Sequence, residues 1–248
     1  MQNERMPEPV PQPVGVPVPG WVPPPRPGRQ PMAGRYCRLE PLDPARHARD
    51  LWEAVLLDAE GRHWTYLTTE RPADFPAYLA WAERMAATDD PLFFAILVPD
   101  GDRWRSVGVA AYLRVAPEAG SIEVGHINFS PRLQRTPAAT EAMYLLMRHA
   151  FDLGYRRYEW KCDSLNQPSR AAAERLGLSY EGTFRQALVY KGRNRDTAWY
   201  AAIDGDWPAL RDALERWLDP ANFDGQGRQR ERLSALTAPL LARRRSGP

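Results

Sequence analysis

Residues 129–143 read FSPRLQRTPAATEAM, a run whose residue types suit an anion-binding turn that opens a helix. Thr136 fits the N-cap and Pro137 the first helical position, where the missing N–H costs no helical bond. The N–H groups of Ala138, Ala139 and Thr140 then point outward at the positive end of the helix dipole. Methyl side chains on Ala138 and Ala139 let a phosphate come close to that backbone. A capped helix that binds nothing accounts for the same residues. A few positions upstream, in SIEVGHINFS, stand a carboxylate and an imidazole, Glu123 and His126, both able to accept a proton. Strand alternation puts the two on opposite faces. Glu123 equally suits an exposed strand position paired with an arginine.

Positioning these groups falls to a series of short elements from Gly34 onward. RYCRLEPLD reads as a strand, and PARHARDLWEAVLL as a helix capped by Asp43 with Pro44 just inside. RPADFPAYLAWAERMAA is a second helix, with Phe75, Tyr78, Leu79 and Met85 near one face. LFFAILVP, RSVGVAAYLRV and SIEVGHINFS follow as three strands, joined by DGDR and PEAG turns short enough to make an antiparallel meander. The helix from Thr136 runs to Leu153 and is closed by Gly154. After it come the strand RRYEWKC, the helix NQPSRAAAERLG, and the strands SYEGTFRQALVYK and DTAWYAAID around a GRN hairpin turn. GDWPALRDALERWL is a closing helix. This order predicts an α+β fold with one mixed central sheet flanked by helices.

Both ends differ in composition. Residues 1–33 hold 11 of the 25 prolines, which fix φ and remove N–H donors, so an extended, flexible arm outside the fold is expected. Residues 219–248 are polar and Arg-rich, an extension beyond a domain spanning 34–218. Lys and Arg number 33 against 31 acidic residues, a balance that argues for no nucleic-acid partner. No run approaches the ~20 apolar residues of a membrane span. Prolines interrupt the N-terminal region where a signal peptide needs its apolar stretch. Cys37 and Cys162 show no metal-ligand spacing and read as reduced thiols, so a cytoplasmic protein without bound metal is expected.

The stretch Gln134-Arg135-Thr136-Pro137-Ala138-Ala139 resembles the acetyl-CoA signature Gln/Arg-x-x-Gly-x-Gly/Ala of the GNAT superfamily of acyl-CoA N-acyltransferases. Proline replaces the first glycine, and an allowed alanine holds the second position. Downstream, KCDSLNQPSRAAAERLG and EGTFRQ are similar to the RimJ/RimL-like branch, and the resemblance runs from about Gly34 to Leu218. It implies a GNAT-like sheet, acetyl-CoA as co-substrate, and direct attack on the thioester by an amine, either a protein N-terminus or a small molecule. A homodimer is left open. The resemblance implies cofactor contacts from Gln134, Arg135, Thr136, Ala138, Ala139 and Thr140, from the backbone of Ile127 and Phe129 to the pantetheine amides, and from Asn166.

Glu123 falls where many members place the general base, which an amine of pKa near ~10 needs, and His126 is the alternative. Many members keep a tyrosine to protonate the leaving thiolate, but that position is Ala173 here, which leaves Ser169 as the nearest hydroxyl. The branch's sixth-strand carboxylate corresponds to Leu188, a departure that puts ribosomal-protein specificity in doubt. Trp64 and Tyr66 match the loop that walls the acceptor pocket. These departures also admit a second reading, a scaffold that binds CoA or a peptide without turnover.

Overall fold

The computed structural model describes residues 12–245. Its strands are β1 (Met32–Ala33), β2 (Arg38–Pro41), β3 (Leu92–Asp100), β4 (Arg103–Ala116), β5 (Ser121–Phe129), β6 (Arg157–Asp163), β7 (Ser179–Tyr190) and β8 (Arg193–Ile203). They form one sheet in the order β1-β2-β3-β4-β5-β6-β8-β7. Every neighbouring pair is antiparallel except β5 and β6, which run parallel. The helices are α1 (Pro44–Leu56), α2 (Phe75–Ala86), α3 (Pro137–Asp152), α4 (Gln167–Arg175), α5 (Trp207–Leu218) and α6 (Leu233–Arg245). The expected α+β architecture with a mixed sheet is the one observed.

Local chemistry sets the helix starts. Asp43 accepts from Ala45 N at 3.0 Å to open α1, and Asp74 accepts from Ala77 N at 2.9 Å to open α2, each followed by a proline in the first turn. Gly154 at φ 97° and Gly177 at φ 86° take the left-handed turn that ends α3 and α4. At the Lys191-Gly192 turn both residues have positive φ, the twist that a two-residue hairpin between right-twisted strands needs.

Two cores lie on opposite faces of the sheet. One holds α1 and α2 over Phe93, Ala95, Leu97, Val109 and Ala111. The larger holds α3 to α6 over Phe94, Ile96, Tyr112, Ile122, Val124, Tyr158 and Trp160. Glu141, buried in the middle of α3, is satisfied by three backbone donors, the N–H groups of Arg35, Tyr36 and Cys37. A buried carboxylate is tolerated only when its lone pairs are filled in this way. A Cβ on Gly34 would sit 2.3 Å from that carboxyl group, so the backbone can wrap it only with glycine there.

Both expected domain edges are corrected. The described part of the Pro-rich segment is docked from Trp21 onward: Pro24 is buried, Pro25 O accepts from Tyr155 OH at 3.1 Å, and Arg26 donates to Val115 O and pairs with Asp90 at 3.1 Å. Arg29 donates to Thr88 O at 2.7 Å, and Met32 pairs with Leu39 at the edge of the sheet while its side chain joins the core. Prolines forbid a continuous ladder, but two residues between them can still pair. Residues 1–11 lie outside the described residues. At the other end α6 is part of the larger core: Leu233 is buried and Thr237 Oγ1 donates to Arg175 O at 3.1 Å.

Candidate active site

The parallel pairing of β5 and β6 makes one end of the sheet chemically distinct. Each of these two strands is followed by a helix, so the N-termini of α3 and α4 meet at the carboxyl ends of neighbouring parallel strands, where α/β folds bind ligands. The ladder between β5 and β6 runs from Ser121↔Arg157 to Val124↔Trp160 and then stops. Beyond it β5 continues to Phe129 paired only with β4, so Gly125 to Phe129 offer an open backbone edge toward β6. Ile127 and Phe129, expected to meet pantetheine, lie on this edge.

Ser130 to Arg135 then turn into α3. Arg135 takes φ 60°, an uncommon left-handed conformation for a non-glycine residue. The Thr136 hydroxyl accepts from Ala139 N at 3.2 Å and donates to Leu133 O at 2.6 Å. This corrects the expected donor set: Ala139 N–H is spent on the cap, and Thr140 N–H falls in the helix ladder. The outward donors are those of Ala138 and of the Arg135–Thr136 turn, for which no partner is seen among the described residues. The side chains of Ala138, Ala139 and Thr140 point inward, and Thr140 Oγ1 accepts from Arg175 at 3.1 Å. An open strand edge, a cluster of unspent N–H groups and a slim helix start fit a pantetheine arm and its pyrophosphate.

On the α4 side Asn166 is the N-cap, accepting from Ser169 N at 3.2 Å. Ser169 Oγ accepts from the Trp160 indole at 3.0 Å, and burial pushes the Cys162 thiol up from its ordinary value. Residues 57–74, between α1 and α2, roof the splay through three ties. Tyr66 OH donates to Leu165 O at 3.2 Å, Lys191 Nζ donates to Trp64 O at 2.7 Å, and Gln134 Nε2 lies 2.7 Å from His63 Nε2. Trp64, expected to line the acceptor pocket, is instead core, edge-on to Trp81 at 6.0 Å, and contributes only its carbonyl. Tyr66 is partly exposed and spans the gap to Leu165.

Glu123 is 2% exposed and bound on both oxygens. Arg114 makes a bidentate pair with it, Nε at 2.7 Å from Oε2, and Lys161 Nζ lies 2.9 Å from the same oxygen. The series continues through Lys161–Glu159 at 2.8 Å and Arg157–Glu159 at 2.6 Å to Glu181, giving alternating charges across the sheet. Sequence reading missed Arg114 and Lys161. The signal for Lys161 was its two-residue spacing from Glu159, which puts both on one strand face. Arg114 gave none, because its φ of 47° belongs to an irregularity that residue type does not announce.

His126 is also placed differently from expectation. It stands in a β-bulge, with φ 48°, where β5 has an extra residue against β4 between Gly125 and Asn128. The bulge resets the alternation, and the imidazole packs against Phe93 at 5.2 Å, on the same face as Glu123. Leu188, on the exposed edge strand β7, carries no ionisable group to this region.

A long open seam runs beside a helix N-terminus whose first N–H groups are unspent. The chain matches the family description Acetyltransferase (GNAT) domain over residues 37–179, and it belongs to that family. It is similar to a GCN5-related N-acetyltransferase from Brucella melitensis, at 44% identity and a TM-score of 0.85, covering 89% of this chain and 100% of the other. A probable GNAT-family acetyltransferase from Chromobacterium violaceum is 39% identical with a TM-score of 0.73, covering 82% and 100%. An acetyl transferase from Salmonella typhimurium that modifies the N-terminal serine of ribosomal protein L7/L12 shares the fold at 20% identity and a TM-score of 0.60, covering 70% and 99%. No protein of curated function matches the sequence. Among the described residues no helix is long and apolar enough to cross a membrane, and no group of three or more His, Cys, Asp or Glu is placed to hold a metal ion.

Proposed function

We propose that the chain moves the acetyl group of acetyl-CoA to a primary amine, on a protein N-terminus or a small molecule, by direct attack on the thioester. The observation that carries this reading is the opening of β5 from β6 after Val124↔Trp160, beside the unspent donors at the start of α3. In this reading the backbone of Ile127 and Phe129 holds the pantetheine amides, and the Arg135–Ala138 turn with Gln134 holds the pyrophosphate. Asn166 stands at the α4 end of the groove. An open strand N–H stabilises the oxyanion as charge develops on the carbonyl. Ser169 receives the indole proton donor, which leaves its own hydroxyl hydrogen to offer to the departing sulfur. The inactive-scaffold reading finds no support in the family match or in the relatives.

The test is thiol release from acetyl-CoA in the presence of amino-terminal peptides, polyamines, aminoglycosides and amino acids. Release that depends on one amine class supports the proposal, and a raised melting temperature with acetyl-CoA but not adenosine supports the cofactor site. Absence of both overturns it.

A further inference from the structure

An amine nucleophile must lose a proton, and the carboxylate that family position suggests is not open to receive it. Arg114 occupies both oxygens of Glu123 and Lys161 shares one, with 2% of the side chain exposed. An amine could reach those oxygens only by displacing a cation, leaving a buried charge uncompensated.

His126 differs on each of these points. Its ring nitrogens make no hydrogen bond among the described residues, and the residue is only half-buried. It lies two residues past the last β5–β6 pair, on the open edge that begins at Gly125, and next to Ile127. Its left-handed φ is a conformation that histidine adopts only at an energetic cost, of the kind that clusters at functional sites.

We propose that His126, not Glu123, is the general base, an assignment that rests on the acetyl-transfer reading above. The amine nitrogen attacks the thioester carbonyl carbon, forming the C–N bond as the carbonyl π pair moves to oxygen. A ring nitrogen of His126 takes the proton from that nitrogen. The pair on oxygen then returns, the C–S bond breaks with its electrons on sulfur, where the Ser169 hydroxyl donates a hydrogen bond, and the imidazolium proton passes to the thiolate. Amide and free thiol leave, and the imidazole is restored. Desolvation holds His126 below the ordinary histidine value; Arg114 from β4 pushes the same way, and Glu123 on its own strand partly opposes. The 3-10 turn Arg62–Trp64 packs against β5 and brings His63, whose ring is already engaged by Asp58 and Gln134. Glu123 thus acts as a positioning residue, fixing Arg114 beside the histidine.

The test uses the full chain, acetyl-CoA and the amine of the panel that the wild type acetylates fastest, with rates expressed per neutral amine. His126→Gln should lower kcat by roughly 10²–10⁴ and remove the acid limb of the corrected pH profile, while the acetyl-CoA melting shift stays. The shift also certifies that the variant is folded, and His126→Ala with added imidazole is the second arm, expected to recover part of the rate. A near-normal rate with the acid limb retained would overturn the assignment. A lost rate with neither a changed profile nor imidazole rescue would also overturn it, reducing His126 to a packing role. No transfer by the wild type would overturn the acetyl-transfer reading itself, a distinct result.

Discussion

Gln134 and His63 face each other across the mouth of the groove, Nε2 to Nε2 at 2.7 Å, while the same Gln134 nitrogen donates to Phe129 O at 2.8 Å. An amide nitrogen carries two hydrogens, so His63 Nε2 is the acceptor and its proton sits on Nδ1, 3.2 Å from Asp58 Oδ2. The glutamine therefore occupies the carbonyl at which a pantetheine amide is expected, and ties the roof to the groove floor. On the proposed path acetyl-CoA draws this amide off Phe129 O, which frees Gln134 to turn toward the pyrophosphate. Gln134→Ala should speed acetyl-CoA association by about fivefold, the net worth of one hydrogen bond, in stopped-flow binding. Slower association would mean that Gln134 guides the cofactor in rather than standing in its way.

Glu123→Gln separates the structural role of the carboxylate from a chemical one. The amide cannot balance Arg114 and Lys161, so folding stability should fall by about 2–3 kcal/mol and the melting temperature by roughly 5–10 °C. An unchanged melting temperature with a collapsed rate that higher pH restores would instead identify Glu123 as the base.

Removing residues 1–28 takes away Trp21, Pro24 and Arg26 and bares Gly120, Gly154 and Tyr155. A loss of about 2 kcal/mol is expected, read as a melting temperature lower by roughly 4–8 °C. No change would mean that the segment rests on the surface without stabilising it.

Acid should weaken the fold through histidine. Burial is the main cause that lowers His47, His126 and His149 below their ordinary value. At His47 the geometry adds a reason, since Nδ1 accepts from Asp43 N at 3.0 Å and cannot do so once protonated. The unfolded chain takes these protons first, so the contribution is complete above about pH 6.5 and is lost as pH falls toward the folded values. Each group contributes at most about 1.4 kcal/mol per pH unit in that window. Melting temperature should be flat above pH 7 and fall from about 6.5 to 5, and His47→Gln should flatten the fall; a flat profile in the wild type would refute the assignment.

The elements that announce themselves by local rules were legible in the sequence. Asp43 and Thr136 cap helices where expected, and the meander follows from connection lengths. What was not legible depends on contacts between distant residues. Proline content said nothing of the crevice that holds Pro24, and alternation along β5 failed at His126 because one inserted residue reversed it. The polar letters of residues 219–248 hid the buried Leu233 and Thr237, the latter bonded to Arg175 some 60 positions earlier. Composition averages over a segment, whereas docking depends on single side chains.

The position of β8 between β6 and β7 has a consequence for how the chain comes off the ribosome. β7 is synthesised first yet has no place in the sheet until β8 arrives to separate it from β6. During that interval the edge of β6 is unpaired beside a β7 whose Phe184, Leu188 and Val189 stay exposed even in the finished fold, a pairing open to misassembly. Completion of the cofactor half is therefore a late event, sealed only after residue 203 and the helices that follow have emerged. A nascent chain arrested at Tyr190 is expected to remain protease-sensitive on its C-terminal side, whereas one arrested beyond Arg245 is not.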